Sequence, residues 1–523
     1  MSRLTDLALR YPRLSALALG VVSALGFEPL ALWPLALLAM AGLLALLVAA
    51  PSRKAAFLLG WCFGLGQFAL GLNWIATAFG YQAAMPAWLG WVGVLGISAY
   101  LAIYPGLAML AAWHARAKLT ALIPALAGSW IVAEWLRGWL FTGFPWNPLG
   151  AVLLGPFDAV GAARLLPWLG TYALSGLAAL FAALWYAGLT RFRSDRRVLA
   201  LLAVPLLVQF WPQGKPAQSG GSQSVPYVLA QPNIPQEQLN DPAFFEVNFQ
   251  RLAQLLPPPR GGDAALVLWP ESGVPDMLRD GYPARYYAET YAADPAQARA
   301  RLARLLGPER LLVTGTVDLE LSGGKAVGAR NSLTLLDGAG AIRGSYAKAH
   351  LVPFGEYVPM REVLEPLGLA RFVPGSFDFW PGPGPRTLAL GRFGKAGLGI
   401  CYEIIFPGHV IDRKDRPDYL FNASNDGWYG AWGPPQHLAQ TRMRALEEGL
   451  PVLRSTTNGI SAVIAADGRV VHSVPLYAAG VLLGRIPPAA PPTLFARYGN
   501  ALSLIWAALL LIVSLVALRR ERR

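Results

Sequence analysis

Charge is what this chain has least of. Only 14% of its 523 residues are Asp, Glu, Lys or Arg, against roughly 25% in an ordinary soluble domain. With 54% hydrophobic residues and a mean hydropathy of +0.39, that deficit excludes a predominantly disordered chain and argues against a wholly soluble enzyme. Cysteine is nearly missing too: Cys62 and Cys401 stand far apart, which signals no disulfide framework and no CxxC redox pair. Five histidines, at 114, 350, 409, 437 and 472, have no ligand spacing, so no metal is expected. No Walker A loop and no GxGxxG run is present, so no cofactor is expected either. Acidic residues are outnumbered 31 to 44, giving +13, yet residues 212–498 hold 27 of the basic and 25 of the acidic residues. The excess lies beside apolar runs, a membrane-topology pattern that excludes a nucleic-acid partner.

Long apolar runs are abundant. They fall near 14–26, 30–50, 57–79, 88–113, 120–136, 165–189, 198–211 and 499–518, and predict eight transmembrane helices. The basic start followed by an apolar run reads as an uncleaved first span. Starting inside, the cytoplasmic segments carry Arg3, Arg10, Arg13, Arg53, Lys54, Arg116, Lys118, Arg191, Arg193, Arg196, Arg197 and the arginines at 519, 520, 522 and 523. The opposite loops near 27–29 and 80–86 carry no basic residue. This predicts a multi-pass membrane protein with both termini cytoplasmic and 212–498 facing outward. The expected layout is a membrane domain at 1–211 with seven spans, a linker at 212–224, an outward domain at 225–490, and a last span with a basic tail at 491–523. The aromatic loop 137–164 reads either as an interfacial anchor or as the lining of a lipid entrance. Glu134 and Arg137, three residues apart near a helix end, read as an ion pair, as snorkelling side chains or as part of a proton relay.

Within the insert, strands are expected at 225–231, 264–269, 311–316, 331–336, 342–346, 396–400, 451–455 and 460–465. Helices are expected at 243–256, 296–306 and 434–448. The alternation predicts one α/β domain with layered sheets. Three reactive side chains stand just beyond strand ends or in Gly/Pro-marked loops: Glu271, Lys348 and Cys401. A thiol is a strong nucleophile once deprotonated, a carboxylate can take its proton, and an ammonium can stabilise a tetrahedral oxyanion. Read singly, each is equally a packed Cys, a surface Glu or a structurally paired Lys. Glu356 and Glu403 are supporting candidates, with Glu403 alternatively binding exposed amides at a helix start. The turn from Asn422 through Asn425 to Trp428 and Gly430 is either a hydrogen-bonded turn or a loop closing over an apolar chain.

The runs Pro270-Glu271-Ser272, Tyr346 to Glu356, Cys401-Tyr402-Glu403 and Asn422 to Trp428 together resemble the bacterial apolipoprotein N-acyltransferases, the membrane branch of the nitrilase superfamily. The resemblance covers essentially the whole chain. It implies an eight-span membrane base bearing an extracytoplasmic nitrilase-like α-β-β-α sandwich. It also implies acyl transfer from the sn-1 position of a phospholipid, commonly phosphatidylethanolamine, through a Cys401 thioester to the α-amino group of a diacylated apolipoprotein. Glu271 is then base and acid, Lys348 the oxyanion stabiliser, Glu356 and Glu403 supports, and Tyr402, Asn425 and Trp428 substrate contacts. One departure stands out. Ile234-Pro235-Gln236 is followed by Glu237-Gln238-Leu239-Asn240 rather than a Lys-Trp pair, so no aromatic substrate contact is expected there. The competing readings are a membrane-anchored amidase using the same three residues and a nonenzymatic lipid-binding scaffold.

Overall fold

A computed structural model describes residues 3–520 except 82–85, 192–194, 213, 215–224, 260, 360–361 and 363–377. The linker expected at 212–224 lies almost wholly outside the described residues, as do Arg193, Glu521, Arg522 and Arg523.

The expected eight spans are corrected by helix length. Among the described residues five helices are long and apolar enough to cross a membrane: Arg53–Gly71, Leu89–Trp113, Leu119–Arg137, Thr171–Arg191 and Asn500–Arg519. The other three runs form the shorter helices Pro12–Ala24, Trp33–Ala49 and Leu199–Gln209. At 1.5 Å per residue, the 13-residue and 11-residue helices reach roughly 20 Å and 17 Å, short of a hydrocarbon core of about 30 Å. Pro34 lies in the first turn of the second and fixes its start, whereas the third continues through Pro205 and is short because its apolar run is short. The run from 165 loses its beginning to a turn at Gly170 (φ +74°), so its helix starts at Thr171.

These helices pack backbone to backbone where glycine permits it. A Cβ on Gly60 would lie 2.4 Å from the Pro105 carbonyl oxygen, and one on Gly66 would lie 2.2 Å from that of Leu17. Without a hydrophobic drive inside lipid, such close approach is what holds helices together. The helix ends sort by charge. At one end Lys118 Nζ donates to the Ala517 carbonyl at 2.9 Å, and Trp113 Nε1 donates to that of Ala50 at 3.0 Å. At the other, Ser503 Oγ donates to Leu169 O at 2.9 Å, and Gln436 of the sheet domain donates to Gly71 O at 3.1 Å. The domain therefore sits on the end away from Arg53, Lys54, Arg116 and Lys118.

Among the described residues twelve strands form two six-stranded sheets. The first has the order β12-β1-β2-β3-β4-β5, with β1 Pro226–Gln231, β2 Leu266–Leu268, β3 Leu311–Ser322, β4 Lys325–Asp337, β5 Ile342–Ala347 and β12 Gly480–Arg485. The second runs β11-β10-β9-β8-β7-β6, with β6 Thr387–Ala389, β7 Lys395–Ile400, β8 Tyr419–Ser424, β9 Val452–Thr456, β10 Ser461–Ile464 and β11 Val470–Val474. Strand alternation decides the layers. Leu229, Leu266, Leu268, Val313 and Leu333 join Leu398, Ile400, Phe421 and Leu453 of the other sheet in one core. Their neighbours Val228, Ala230, Val267, Trp269 and Leu312 turn outward to meet Phe249, Leu252, Ala298 and Leu302, carried on the helices Phe245–Leu255 and Pro295–Leu306. The helix Gly433–Glu448 covers the second sheet and is buried on every side, because its outer face meets the membrane base through contacts such as Arg442 to the carbonyls of Gly155 and Pro156. A helix–sheet–sheet–helix stack results.

Candidate active site

The site begins where β7 ends. Cys401 has φ +49°, a left-handed conformation that a residue with a Cβ adopts only when its surroundings enforce it. Two groups do so. Glu403 reaches back to accept the Ile400 N–H at 2.7 Å, and His437 Nε2 lies 3.2 Å from the Cys401 carbonyl. His437 is fully buried; burial first and the Arg454 charge second push it down to about 4, so the ring is neutral. A proton on Nε2 then serves Cys401, and Nδ1 accepts from Arg454 at 3.0 Å. Arg454 also donates to both oxygens of Asp426 at 2.7 Å. Burial opposes the charge of Asp426, but Arg454 outweighs it and holds the carboxyl down to about 2.

Three strand ends bring the predicted chemical groups together. Glu271 follows β2, and its Oε2 accepts the Asn425 N–H at 2.8 Å. Lys348 follows β5; its Nζ lies 4.0 Å from Glu271 Oε1 and 2.9 Å from Glu356 Oε2. Lys348 is 2% exposed. Burial disfavours its charge, yet Glu356 and Glu271 together raise its pKa above the ordinary value. Glu271 is displaced upward, first by burial and then by Glu356, with Lys348 pulling the other way. The Cys401 thiol is raised to about 12 by burial and by Glu271, again against Lys348. The resting site thus holds an uncharged thiol beside a carboxyl of raised basicity and a fixed cation.

The remaining expected residues divide. Glu356 clamps Lys348 and accepts the Val352 N–H at 2.8 Å, so it belongs to the cluster. Glu403 stands behind it: besides Ile400 it accepts from Ala349 N at 2.7 Å, His350 N at 3.2 Å and Tyr346 Oη at 2.7 Å. That ties the Lys348 loop to the Cys401 turn. Asn425 contributes its backbone to Glu271, while its side chain is engaged inward, donating to Gln236 at 2.8 Å and accepting from Thr457 at 2.8 Å. Tyr402 points towards the membrane base, its hydroxyl donating to Gly143 O at 3.3 Å and its ring beside Phe144 and Phe406. Trp428 is half-buried and meets Tyr81 edge-on at 5.6 Å. Neither ring is among the groups around the Cys401 sulfur.

Several residues around the site were not singled out from sequence. Asn331, in β4, donates to Glu271 at 2.7 Å and to Glu356 at 2.9 Å, bridging the two carboxylates. Nothing in a strand reading marks it. Tyr429 brings its hydroxyl to 3.3 Å from Cys401 Sγ; its place beside the Asn425 turn was the available signal. Loop 137–164 has an exposed part and a buried part. Trp139 and Phe141 are exposed at 50% and 86%, whereas Phe144 and Trp146 pack under the site. Glu134 and Arg137 approach to 3.9 Å and shape this loop. Arg137 donates to the carbonyls of Phe144 and Trp146 at 2.8 Å, and Glu134 accepts from Leu149 N at 2.8 Å.

Comparison with known proteins covers both halves of the chain. Residues 19–184 match the family model for the apolipoprotein N-acyltransferase N-terminal domain, and residues 229–490 match that for carbon-nitrogen hydrolase. The chain is 37% identical to an apolipoprotein N-acyltransferase of Bradyrhizobium diazoefficiens, over 97% of this chain and 95% of that one. It is 34% identical to one of Rhodopseudomonas palustris over the same shares. With one of Azotobacter vinelandii the identity is 35%, over 98% and 96%.

Proposed function

Because the chain belongs to the apolipoprotein N-acyltransferase family, we propose that Cys401, Glu271 and Lys348 carry an acyl chain from a phospholipid to a lipoprotein amino terminus. The protein is an acyltransferase of lipoprotein maturation, multi-pass in the membrane, with phospholipid and apolipoprotein substrates. The observation that carries the catalytic assignment is the meeting of a buried thiol, carboxyl and ammonium from three strand ends, with Lys348 4.0 Å from Glu271.

In the first half-reaction Glu271 takes the thiol proton and Cys401 Sγ attacks the sn-1 ester carbonyl. Lys348 stabilises the oxyanion that forms. Collapse breaks the ester C–O bond, Glu271 returns its proton to the departing oxygen, and the lysophospholipid leaves a thioester behind. In the second half-reaction the α-amino group of a diacylglyceryl-cysteine attacks the thioester and gives a proton to Glu271. Collapse expels the Cys401 thiolate, which recovers that proton, and an amide remains. Glu356 keeps Lys348 charged and aimed. Phosphatidylethanolamine as donor and a diacylated acceptor are part of this reading, as is access from the membrane past Phe144 of the aromatic loop and past Tyr402 and Trp428 of the sheet domain.

The charge asymmetry of the helix ends supports a cytoplasmic placement of both termini and a periplasmic catalytic domain, because short basic segments are retained inside. Such siting makes chemical sense. Moving an acyl chain from bilayer to water costs about 0.8 kcal/mol per CH₂, and a site resting on the membrane base avoids the transfer.

The test is intact-protein mass spectrometry of detergent-purified enzyme given a defined phosphatidylethanolamine, then a diacylated lipopeptide with a free amino terminus. A gain of one acyl group on wild type but not on Cys401→Ala, discharged to the amine, is expected. Discharge to water at the same rate with and without lipopeptide supports a hydrolase instead, and no gain with donor bound removes Cys401 as nucleophile.

A further inference from the structure

The Tyr429 hydroxyl lies 3.3 Å from the Cys401 sulfur, which also has side-chain hydrogen-bond partners in Ser424 and Glu271. Cys401 Sγ also faces the Asn425 carbonyl at 3.9 Å, an acceptor for the thiol proton and of no help to a thiolate. Tyr429 is buried, and its ring is held by three others. Trp74 lies edge-on at 4.7 Å, Trp146 at 5.4 Å and His437 at 5.6 Å. Two of those rings belong to the membrane base. Trp74 follows the helix Arg53–Gly71, and Trp146 lies in the aromatic loop. Trp146 is itself fixed by donating to Gln436 at 2.8 Å, and Gln436 donates to Gly71 O at 3.1 Å. The hydroxyl has one freedom left, rotation of its proton.

We propose that Tyr429 is a catalytic residue that donates a hydrogen bond to the Cys401 sulfur as it becomes a thiolate, and that the membrane base sets this contact through Trp74 and Trp146. The inference rests on the reading of Cys401 as nucleophile. Its chemistry follows from what surrounds the sulfur. Lys348 favours the thiolate, whereas Glu271 and Asp426 disfavour it. Tyr429 faces Cys401, Asp426 and Glu271, all of which, with its burial first, keep it protonated. A phenol that keeps its proton is a donor, and a donor to an ionised acceptor is worth more than one between neutral groups. When the amine later expels the thiolate, the same hydroxyl receives it, so both half-reactions gain. The arrangement also ties nucleophile activation to correct docking of the domain on its membrane base.

The experiment uses the full-length enzyme in detergent, as wild type and Tyr429→Phe, which removes only the hydroxyl and leaves the ring in its cage. Cys401 alkylation by iodoacetamide, located by peptide mass, is followed against pH, each profile normalised to its own plateau. Misfolded enzyme then lowers the plateau without moving the inflection. The Phe variant is expected to move the inflection upward by about one unit, and to slow thioester formation from phosphatidylethanolamine about tenfold or more, the worth of one hydrogen bond to an ionised acceptor. An alkylation profile that coincides with wild type overturns the inference. Failure of wild type to gain an acyl group on Cys401 would instead overturn the catalytic reading, and the alkylation shift would still report on Tyr429.

Discussion

Glu271 acts as a base only when ionised, and burial lifts it above the ordinary carboxylate value of 4.5. Activity is therefore expected to fall as the pH drops through that raised value, so the acid limb of kcat/KM should lie higher than a free glutamate would put it. A limb at or below 4.5 in a pH–rate profile would contradict this. Glu403 is argued to be geometric. Truncation to Ala strands four donors, at Ile400, Ala349, His350 and Tyr346, and should cost about 3 kcal/mol or more of stability. Differential scanning calorimetry in detergent checks it, with Glu403→Gln, which keeps acceptors in place, retaining more. His437 supplies a stability prediction with a definite sign. Its folded pKa of about 4 lies below the ordinary value of 6.5, so between those values the unfolded chain binds the extra proton. Stability must fall as pH is lowered from 6.5 towards 4. His437→Gln should flatten that part of the melting-temperature profile.

The strands and helices of the outward domain were legible wherever period and burial agreed. The expected helix at 434–448 is Gly433–Glu448, and the expected strand at 396–400 is Lys395–Ile400. β8 was not legible. Asn422, Ala423 and Ser424 read as a polar turn, yet they end a fully buried strand. Asn422 finds its partner in Arg454, distant in sequence, and a single sequence does not display such a pairing; Ser424 donates locally to Asp426 at 3.1 Å. In the membrane base, element packing depends on small residues. Gly60→Val would drive its Cβ into the Pro105 carbonyl, 2.4 Å away. Overpacking of that kind costs about 1–3 kcal/mol, and a lowered melting temperature with unchanged helical circular dichroism is expected.

The assembled molecule joins the helix Gly433–Glu448 to the base by buried polar contacts as well as apolar ones. Glu447 accepts from Thr171 N at 2.6 Å and from its hydroxyl at 2.7 Å, at the first residue of a spanning helix. The site is completed by both parts, as Trp74 and Trp146 beside Tyr429 show. Orientation is testable directly. Ser322 lies exposed at the Gly323-Gly324 turn between β3 and β4. In a Cys62→Ser background, Ser322→Cys should react with a membrane-impermeant maleimide in intact spheroplasts, whereas Arg116→Cys should react only after lysis. The reverse pattern would invert the proposed topology.

From composition and residue order came the apolar base, the side of the basic segments, the sheet-rich insert and the Glu271, Lys348 and Cys401 candidates, because period, hydropathy and motif are local properties of a chain. Span number was misjudged by the same means, since runs whose helices reach only 13 and 11 residues were counted as spans. Tertiary structure alone decided that Glu403 braces two loops, that Asn331 bridges two carboxylates and that Tyr429 touches the sulfur. Each of these depends on side chains from separate elements meeting at about 3 Å, and such distances are set by sheet order and by the docking of the domain on its base rather than by sequence separation.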